Sequence, residues 1–165
     1  MNITERAARV RLVVFDVDGV FTDGRLYYGS GGEELKVFHV HDGQGVKRLL
    51  RQGVAVAVIS GRDSAAVGRR MQDLGIAHVF QGDEDKLPIF ERLLKKLSLT
   101  PEAVACVGDD LPDLPLLEQA GLAVAVANAL PQVRAKAHLV TAAAGGTGAV
   151  REVCDLILAA RGRGA

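Results

Sequence analysis

Asp16 and Asp18 stand two positions apart at the end of an apolar run, Val10–Phe15, broken only by Arg11. Gly19 follows them, in the stretch V-V-F-D-V-D-G-V-F-T-D-G. An apolar run that stops at acids reads as a buried strand with carboxylates at its carboxyl tip, the end where open α/β sheets bind ligands. A buried carboxylate is unfavourable unless a positive group neutralises it. A hard divalent cation is the simplest such group, and Mg²⁺ takes one or two carboxylates with waters and phosphate oxygens. The stretch therefore points to metal-assisted phosphoryl transfer, although Asp-x-Asp-Gly alone is also an ordinary polar exit from a strand. An EF-hand is excluded, because Val20, Phe21 and Tyr27 occupy positions where its loop needs Asp or Asn, Gly and Glu.

Other apolar runs end in polar groups of matching kinds. Val54–Ile59 stops at Ser60-Gly61-Arg62, and Val104–Val107 stops at Gly108-Asp109-Asp110. Between them Lys86 enters the start of a helix in Gly82-Asp83-Glu84-Asp85-Lys86. Singly, these are a turn, a solvated lysine and a helix cap. Together, in this order beside strand ends, they divide a reaction. Asp16 is placed to attack phosphorus and carry an aspartyl-phosphate. Asp18 is placed to give a proton to the leaving oxygen and later take one from water, for which a raised pKa would be useful. Asp109 would complete the metal site, and Mg²⁺ would offset the repulsion between phosphate and nucleophile. Ser60, the Gly61 N–H and Lys86 would hold the phosphoryl oxygens.

Strands and helices alternate along the chain. Strands are expected at Val10–Phe15, Val54–Ile59, His78–Phe80, Val104–Val107, Leu122–Ala127 and Leu139–Thr141, the second and fourth being wholly apolar and therefore buried in a parallel sheet. Helices are expected at Gly43–Gln52, from an Asp63 or Ser64 cap to Leu74, and at Asp83–Leu97, Leu114–Ala120, Leu130–Lys136 and Ala149–Ala160. Met1–Arg9 reads as a lead-in with a helical turn capped by Thr4, and Pro101 opens a short turn. Such alternation implies an α/β fold, a doubly wound, mostly parallel Rossmann-like sheet in one domain over 1–165. One hairpin interrupts it at about 25–38, where Leu26-Tyr27-Tyr28 and Leu35-Lys36-Val37-Phe38 flank Gly29-Ser30-Gly31-Gly32. A lone two-stranded hairpin is marginal in water, so its apolar residues need a partner subunit or the active site to pack on.

The 20 basic and 20 acidic residues balance, so no long-range field favours nucleic acid or an anionic membrane. The 4% aromatic content, with no Trp, argues against a base-stacking platform. Cys106 and Cys154 lie in apolar patterns and read as reduced core residues. No apolar run reaches spanning length, and Met1–Arg11 has no apolar h-region, so a cytoplasmic address is expected. Arg161–Arg163 reads as a frayed, solvated tail.

The constellation resembles the haloacid dehalogenase-like phosphatases. D-V-D-G-V-F-T-D matches their first motif, Ser60 the second, Lys86 the third and G-D-D-L-P-D the fourth. The resemblance implies that Asp16 is nucleophile and metal ligand, and that Asp18 is acid/base and ligates through its backbone carbonyl. Asp109 is implied as third protein ligand, with Asp110 and Asp113 behind the ligands. Mg²⁺ is the implied cofactor, with Mn²⁺ or Co²⁺ as substitutes. The hairpin with G-G-E-E-L-K, F-x-V-x-D-G-x-G, I-S-G-R and the terminal A-G-G-x-G-A-V-R-E-V-C-D-L resemble, within that group, the 3-deoxy-D-manno-octulosonate 8-phosphate phosphatase family. That likeness spans nearly the whole chain. It implies no large cap domain, a homotetramer whose hairpins form a central barrel, each subunit helping to cover its neighbour's site, and a role in lipopolysaccharide precursor synthesis. It also implies sugar-acid contacts at His39, His41, Asp42, Gly43, Lys47, Gly61, Arg62, Arg70 and Lys86. Arg62 is a natural bidentate partner for a carboxylate.

Two positions depart from the familiar pattern, which has arginine where His41 and Thr147 stand. They leave open a related nine-carbon sugar-acid 9-phosphate as substrate. A non-catalytic tetramerisation module attached to a sugar-nucleotide synthetase is the other alternative, opposed by the intact acid, serine and lysine set and by the lack of a preceding synthetase domain. His39 and His41 would share one face if they lay on a strand, as a metal pair or as the polar edge of a substrate pocket. His78 and His138 read as strand-edge residues.

Overall fold

The computed structural model describes residues 1–162. Six strands form one sheet: β1 (Leu12–Phe15), β4 (Ala55–Ser60), β5 (His78–Gln81), β6 (Val104–Gly108), β7 (Leu122–Ala125) and β8 (Leu139–Val140). Every pairing among them is parallel, in the order β5-β4-β1-β6-β7-β8. β1, β6 and β7 are buried along their whole length, as β-branched and small apolar side chains covered on both faces require. The edges are β5 and β8, where His78 opens one strand and His138 precedes the other.

The helices are α1 (Ile3–Ala8), α2 (Val40–Arg51), α3 (Ala65–Leu74), α4 (Lys86–Leu97), α5 (Leu114–Gln119), α6 (Pro131–Lys136) and α7 (Ala149–Gly162). Right-handed crossovers run outward from β1 in both directions, which puts α2 and α3 on one face of the sheet and α4 to α6 on the other. α7 packs against both α2 and α1, while α5 packs against α4 and α6. Between these layers lies a single apolar cluster containing Phe15, Phe21, Leu49, Ile59, Phe90, Leu93 and Ile157.

Several boundaries differ from expectation. The hairpin pairs only Tyr27–Tyr28 (β2) with Glu34–Leu35 (β3), since the glycine-rich turn takes up Gly29 to Gly32. α2 begins at Val40, three residues early, because His39 is extended and its ring nitrogen caps the helix by accepting from His41 N at 3.1 Å. The two histidines therefore stand at a helix start and not on a strand. α4 begins at Lys86, because Asp83 Oδ1 accepts from Asp85 N at 2.9 Å and folds the acidic run into a turn. Asn2 caps α1 in place of Thr4, in a reciprocal pairing with Glu5. Arg161 is helical and donates to Val10 O at 2.8 Å, so it is not a frayed tail; Arg163 lies outside the described residues.

Candidate active site

The sheet order reverses at β1. The chain moves outward through β4 and β5, then returns to place β6 on the other side of β1. Brackets of this kind are where open α/β sheets hold ligands, beyond the strand carboxyl ends. Phe15 pairs with Val107 and with Val58, so the residues just past these strands converge. Asp16 N donates to Val107 O at 3.0 Å, extending the β1–β6 ladder by one rung. The chain then tightens: Phe21 N and Thr22 N both donate to Val17 O, and Thr22 Oγ1 accepts from Gly19 N and Gly24 N at 3.2 Å each. Gly19 has φ of +89°, which glycine adopts without strain.

A pocket of about 250 Å³ opens above these strand ends. Asp16, Asp18, Ser60, Gly61, Arg62, Lys86, Asp109, Asp110 and Asp113 all line it. Gly24, Glu84 and Pro112 complete the wall. Glu84 had no signal in the sequence beyond an acidic run. A second and larger groove, of about 880 Å³, lies between the ends of α1, α2 and α7 and shares no residue with the first.

Lys86 is buried between two acids. Its Nζ donates to Asp16 Oδ1 at 2.7 Å and to Asp113 Oδ1 at 2.6 Å. Burial alone would lower the lysine pKa, but the two carboxylates outweigh it and hold the ammonium charged. Asp113 Oδ2 accepts from Asp109 N at 2.9 Å and Asp110 N at 3.2 Å, so it pins the turn after β6 while it holds Lys86. Burial, followed by the charge of Asp113, raises Asp16 to about 7 against the pull of Lys86. Burial and the charges of Asp16 and Asp113 raise Asp109 to about 8.

Carboxylate oxygens of Asp16, Asp109 and Asp113 lie within 4.8 Å of one another. The three are not equivalent. Both oxygens of Asp113 are occupied by donors of the chain, whereas Asp109 Oδ1 is buried with no hydrogen-bond partner. An orphaned buried oxygen beside a second buried carboxylate, with only oxygen donors present, fits a hard divalent cation held by Asp16 and Asp109.

The pocket mouth is charged. The Arg62 guanidinium lies 3.9 Å from Asp18 Oδ2 and 3.5 Å from Glu34 Oε2, and reaches the Tyr28 hydroxyl at 3.4 Å. Lys36 pairs with Asp18 and, at 2.8 Å, with Glu34. The sequence shows Lys36 and Glu34 within the hairpin and its G-G-E-E-L-K motif but not at the pocket, because no local pattern tells which charges of a hairpin fold back.

The remaining expected sugar contacts do not line this pocket within one chain. Asp42 is buried and its Oδ1 accepts from Arg151 N at 2.9 Å near the start of α7, so it joins two helices instead of facing solvent. Burial raises its pKa against that bond. Gly43 is buried against Arg70, whose Nη2 would stand 2.5 Å from an added Cβ. The Arg70 guanidinium stacks 5.8 Å from the Phe38 ring centre and bonds His39 O at 3.5 Å. His39 and His41 face each other edge-on at 4.9 Å, and Lys47 is half-buried on α2. Thr147 Oγ1 donates to Ala144 O at 2.7 Å. One residue without a sequence signal joins the site loops: Asn128 Nδ2 donates to Gly19 O at 3.0 Å and its Oδ1 accepts from Gly145 N at 2.7 Å.

Known proteins resemble this chain in sequence and in fold. The family model described as haloacid dehalogenase-like hydrolase matches residues 76–152, the part that carries Lys86 and Asp109. The chain is 50% identical over 162 residues to the 3-deoxy-D-manno-octulosonate 8-phosphate phosphatase KdsC of Escherichia coli strain K12, covering 98% of this chain and 86% of that protein. It is similar to the crystal structure of the phosphatase of that name from Yersinia pestis, with a TM-score of 0.96, 50% identity, and 98% and 87% of the two chains covered. It is also similar to the Moraxella catarrhalis phosphatase solved in complex with a magnesium ion, a phosphate ion and a KDO molecule. There the TM-score is 0.95 at 45% identity, covering 98% of this chain and 92% of that one.

Proposed function

The chain belongs to the 3-deoxy-D-manno-octulosonate 8-phosphate phosphatase family of the haloacid dehalogenase-like hydrolases, and from that premise we propose how its residues turn over substrate. It is a phosphatase that releases phosphate from 3-deoxy-D-manno-octulosonate 8-phosphate. The observation that carries the residue assignment is the buried, unpartnered Asp109 Oδ1 beside Asp16 and Lys86. Asp16, Asp109 and the Asp18 backbone carbonyl hold Mg²⁺, for which Mn²⁺ or Co²⁺ can substitute. The ion neutralises phosphate charge and polarises a phosphoryl oxygen.

Asp16 attacks phosphorus, and the bond from phosphorus to the sugar oxygen breaks as that oxygen takes the Asp18 proton. Water then attacks the aspartyl-phosphate while Asp18 recovers a proton from it, which frees phosphate and Asp16. Ser60, the Gly61 N–H and Lys86 hold the phosphoryl oxygens through both displacements. Asp113 and Asp110 orient the ligands from behind, and Arg62 receives the sugar carboxylate.

The domain is a single unit over 1–165 with the hairpin as its insertion, acting in the cytoplasm on a lipopolysaccharide precursor. Tyr28, Leu35 and Val37 expose apolar surface on and beside the hairpin, which supports burial in a homotetramer. In that assembly His39, His41, Lys47 and Arg70 act near a neighbouring subunit's sugar, with the buried Asp42 and Gly43 shaping the helix start behind them.

The experiment is a panel of eight- and nine-carbon sugar-acid phosphates compared by kcat/KM, with Mg²⁺ and with EDTA, for wild type and Asp16→Asn. Metal-dependent preference for the eight-carbon ester, abolished in Asp16→Asn, is expected. Preference for a nine-carbon ester would move the substrate, and no metal-dependent release at all would favour a non-catalytic module.

A further inference from the structure

Glu34 and Lys36 belong to the hairpin, yet their charged ends lie at the mouth of the acid-lined pocket. The Lys36 side chain is 1% exposed and points inward between Asp18 and Glu34. Among the described residues it is the one hydrogen-bond donor to the Asp18 carboxylate. The other Asp18 oxygen faces Arg62, and Arg62 is held in turn by Glu34 and the Tyr28 hydroxyl. The result is a closed ring of charges, Asp18–Lys36–Glu34–Arg62, in which each member lies within ion-pair distance of its two neighbours, the widest gap being 3.9 Å between Arg62 and Asp18.

A buried ammonium is unfavourable without partners, so this is not an ordinary surface ion pair that contributes little. A carboxylate on a loop is otherwise free to rotate, and fixing its rotamer costs entropy that a proton transfer must meet at every turnover. We propose that Lys36 and Glu34 are positioning residues for the reaction: Lys36 fixes the Asp18 carboxylate toward the leaving oxygen, and Glu34 fixes Lys36 and Arg62 over the mouth. The proposal rests on the reading of Asp18 as the acid and base. It also makes turnover depend on an ordered hairpin, the element that the remainder of the chain needs least for its own fold.

The test compares wild type, Lys36→Met, Lys36→Arg and Glu34→Gln, with light scattering confirming equal assembly mass. A sugar oxygen leaves only with a proton, whereas p-nitrophenolate leaves without one. Lys36→Met should lower kcat on the sugar-acid phosphate by about tenfold to a hundredfold, with KM within about threefold, since it loosens part of an acid–base assistance that is about a hundredfold to ten-thousandfold in full. First-turnover release of p-nitrophenolate should be slowed far less, and Lys36→Arg should recover most of the loss. Wild-type kcat in Lys36→Met, or equal slowing of both substrates, overturns the proposal. If Lys36→Met does not fold, Glu34→Gln decides, and an unchanged ratio between the two substrates overturns it. Wild-type enzyme without metal-dependent turnover would sink the reading of Asp18 itself, a failure seen before any variant is compared.

Discussion

Gly19 lies flat against the Asp109 carboxylate: a Cβ on Gly19 would stand 2.0 Å from Asp109 Oδ2. Glycine is needed there for space and for a φ of +89°. Gly19→Ala should push Asp109 out of line with Asp16 and add roughly 1–2 kcal/mol of backbone strain. Calorimetric titration with Mg²⁺ should show affinity lower by at least about tenfold, with the far-ultraviolet circular dichroism unchanged.

The raised acids make metal binding and stability depend on pH in opposite ways. Asp16 near 7 and Asp109 near 8 stand above their ordinary value of 3.8, so the metal-free folded chain binds more protons than the unfolded chain. Their contribution to stability is full below about pH 4 and is lost as pH rises through about 7 to 8. In EDTA the melting temperature should therefore fall between about pH 5 and pH 8, and saturating Mg²⁺ should recover most of that fall. Mg²⁺ binding should release protons, read as a dependence of the calorimetric heat on buffer ionisation enthalpy. A flat melting temperature in EDTA would contradict these shifts.

Asp113 holds Lys86 with one oxygen and two backbone N–H groups with the other. Asp113→Ala should cost roughly 3 kcal/mol, the low end for a broken buried ion pair because Asp16 still faces Lys86. The same change should lower kcat by about a hundredfold through misplacement of Lys86 and Asp109. Urea unfolding and steady-state kinetics check the two parts separately.

Asn128 ties Gly19 O to Gly145 N, and no other described side chain bridges these loops. Asn128→Ala leaves a part-buried donor and acceptor unpaired, at about 1–2 kcal/mol. The urea midpoint should fall with an unchanged slope.

The strands that carry the site were legible because their apolar runs are short, β-branched and stopped by polar residues. Val54–Ile59 and Val104–Val107 read as buried strands and are buried strands, so Ser60 and Asp109 could be placed at their tips. Element starts were less legible where a side chain competes with the helix. The Asp83 turn delays α4, and the His39 cap advances α2. The hairpin was read too long, since alternation from Leu26 to Phe38 does not say how many rungs the glycine turn allows. Lys36 stood out only as part of the G-G-E-E-L-K hairpin motif, and Glu84 and Asn128 gave no local pattern. Their partners are distant in the chain, and only the tertiary arrangement brings them to the pocket.

The hydrogen bond from Asp16 to Val107 O closes a seam between strands translated far apart in time. A nascent chain that has reached only β5 holds Asp16 without Asp109, which follows β6, and such long-range pairing is slow to form. Asp16 and Asp109 are thus brought together only when the returning strand docks beside the first.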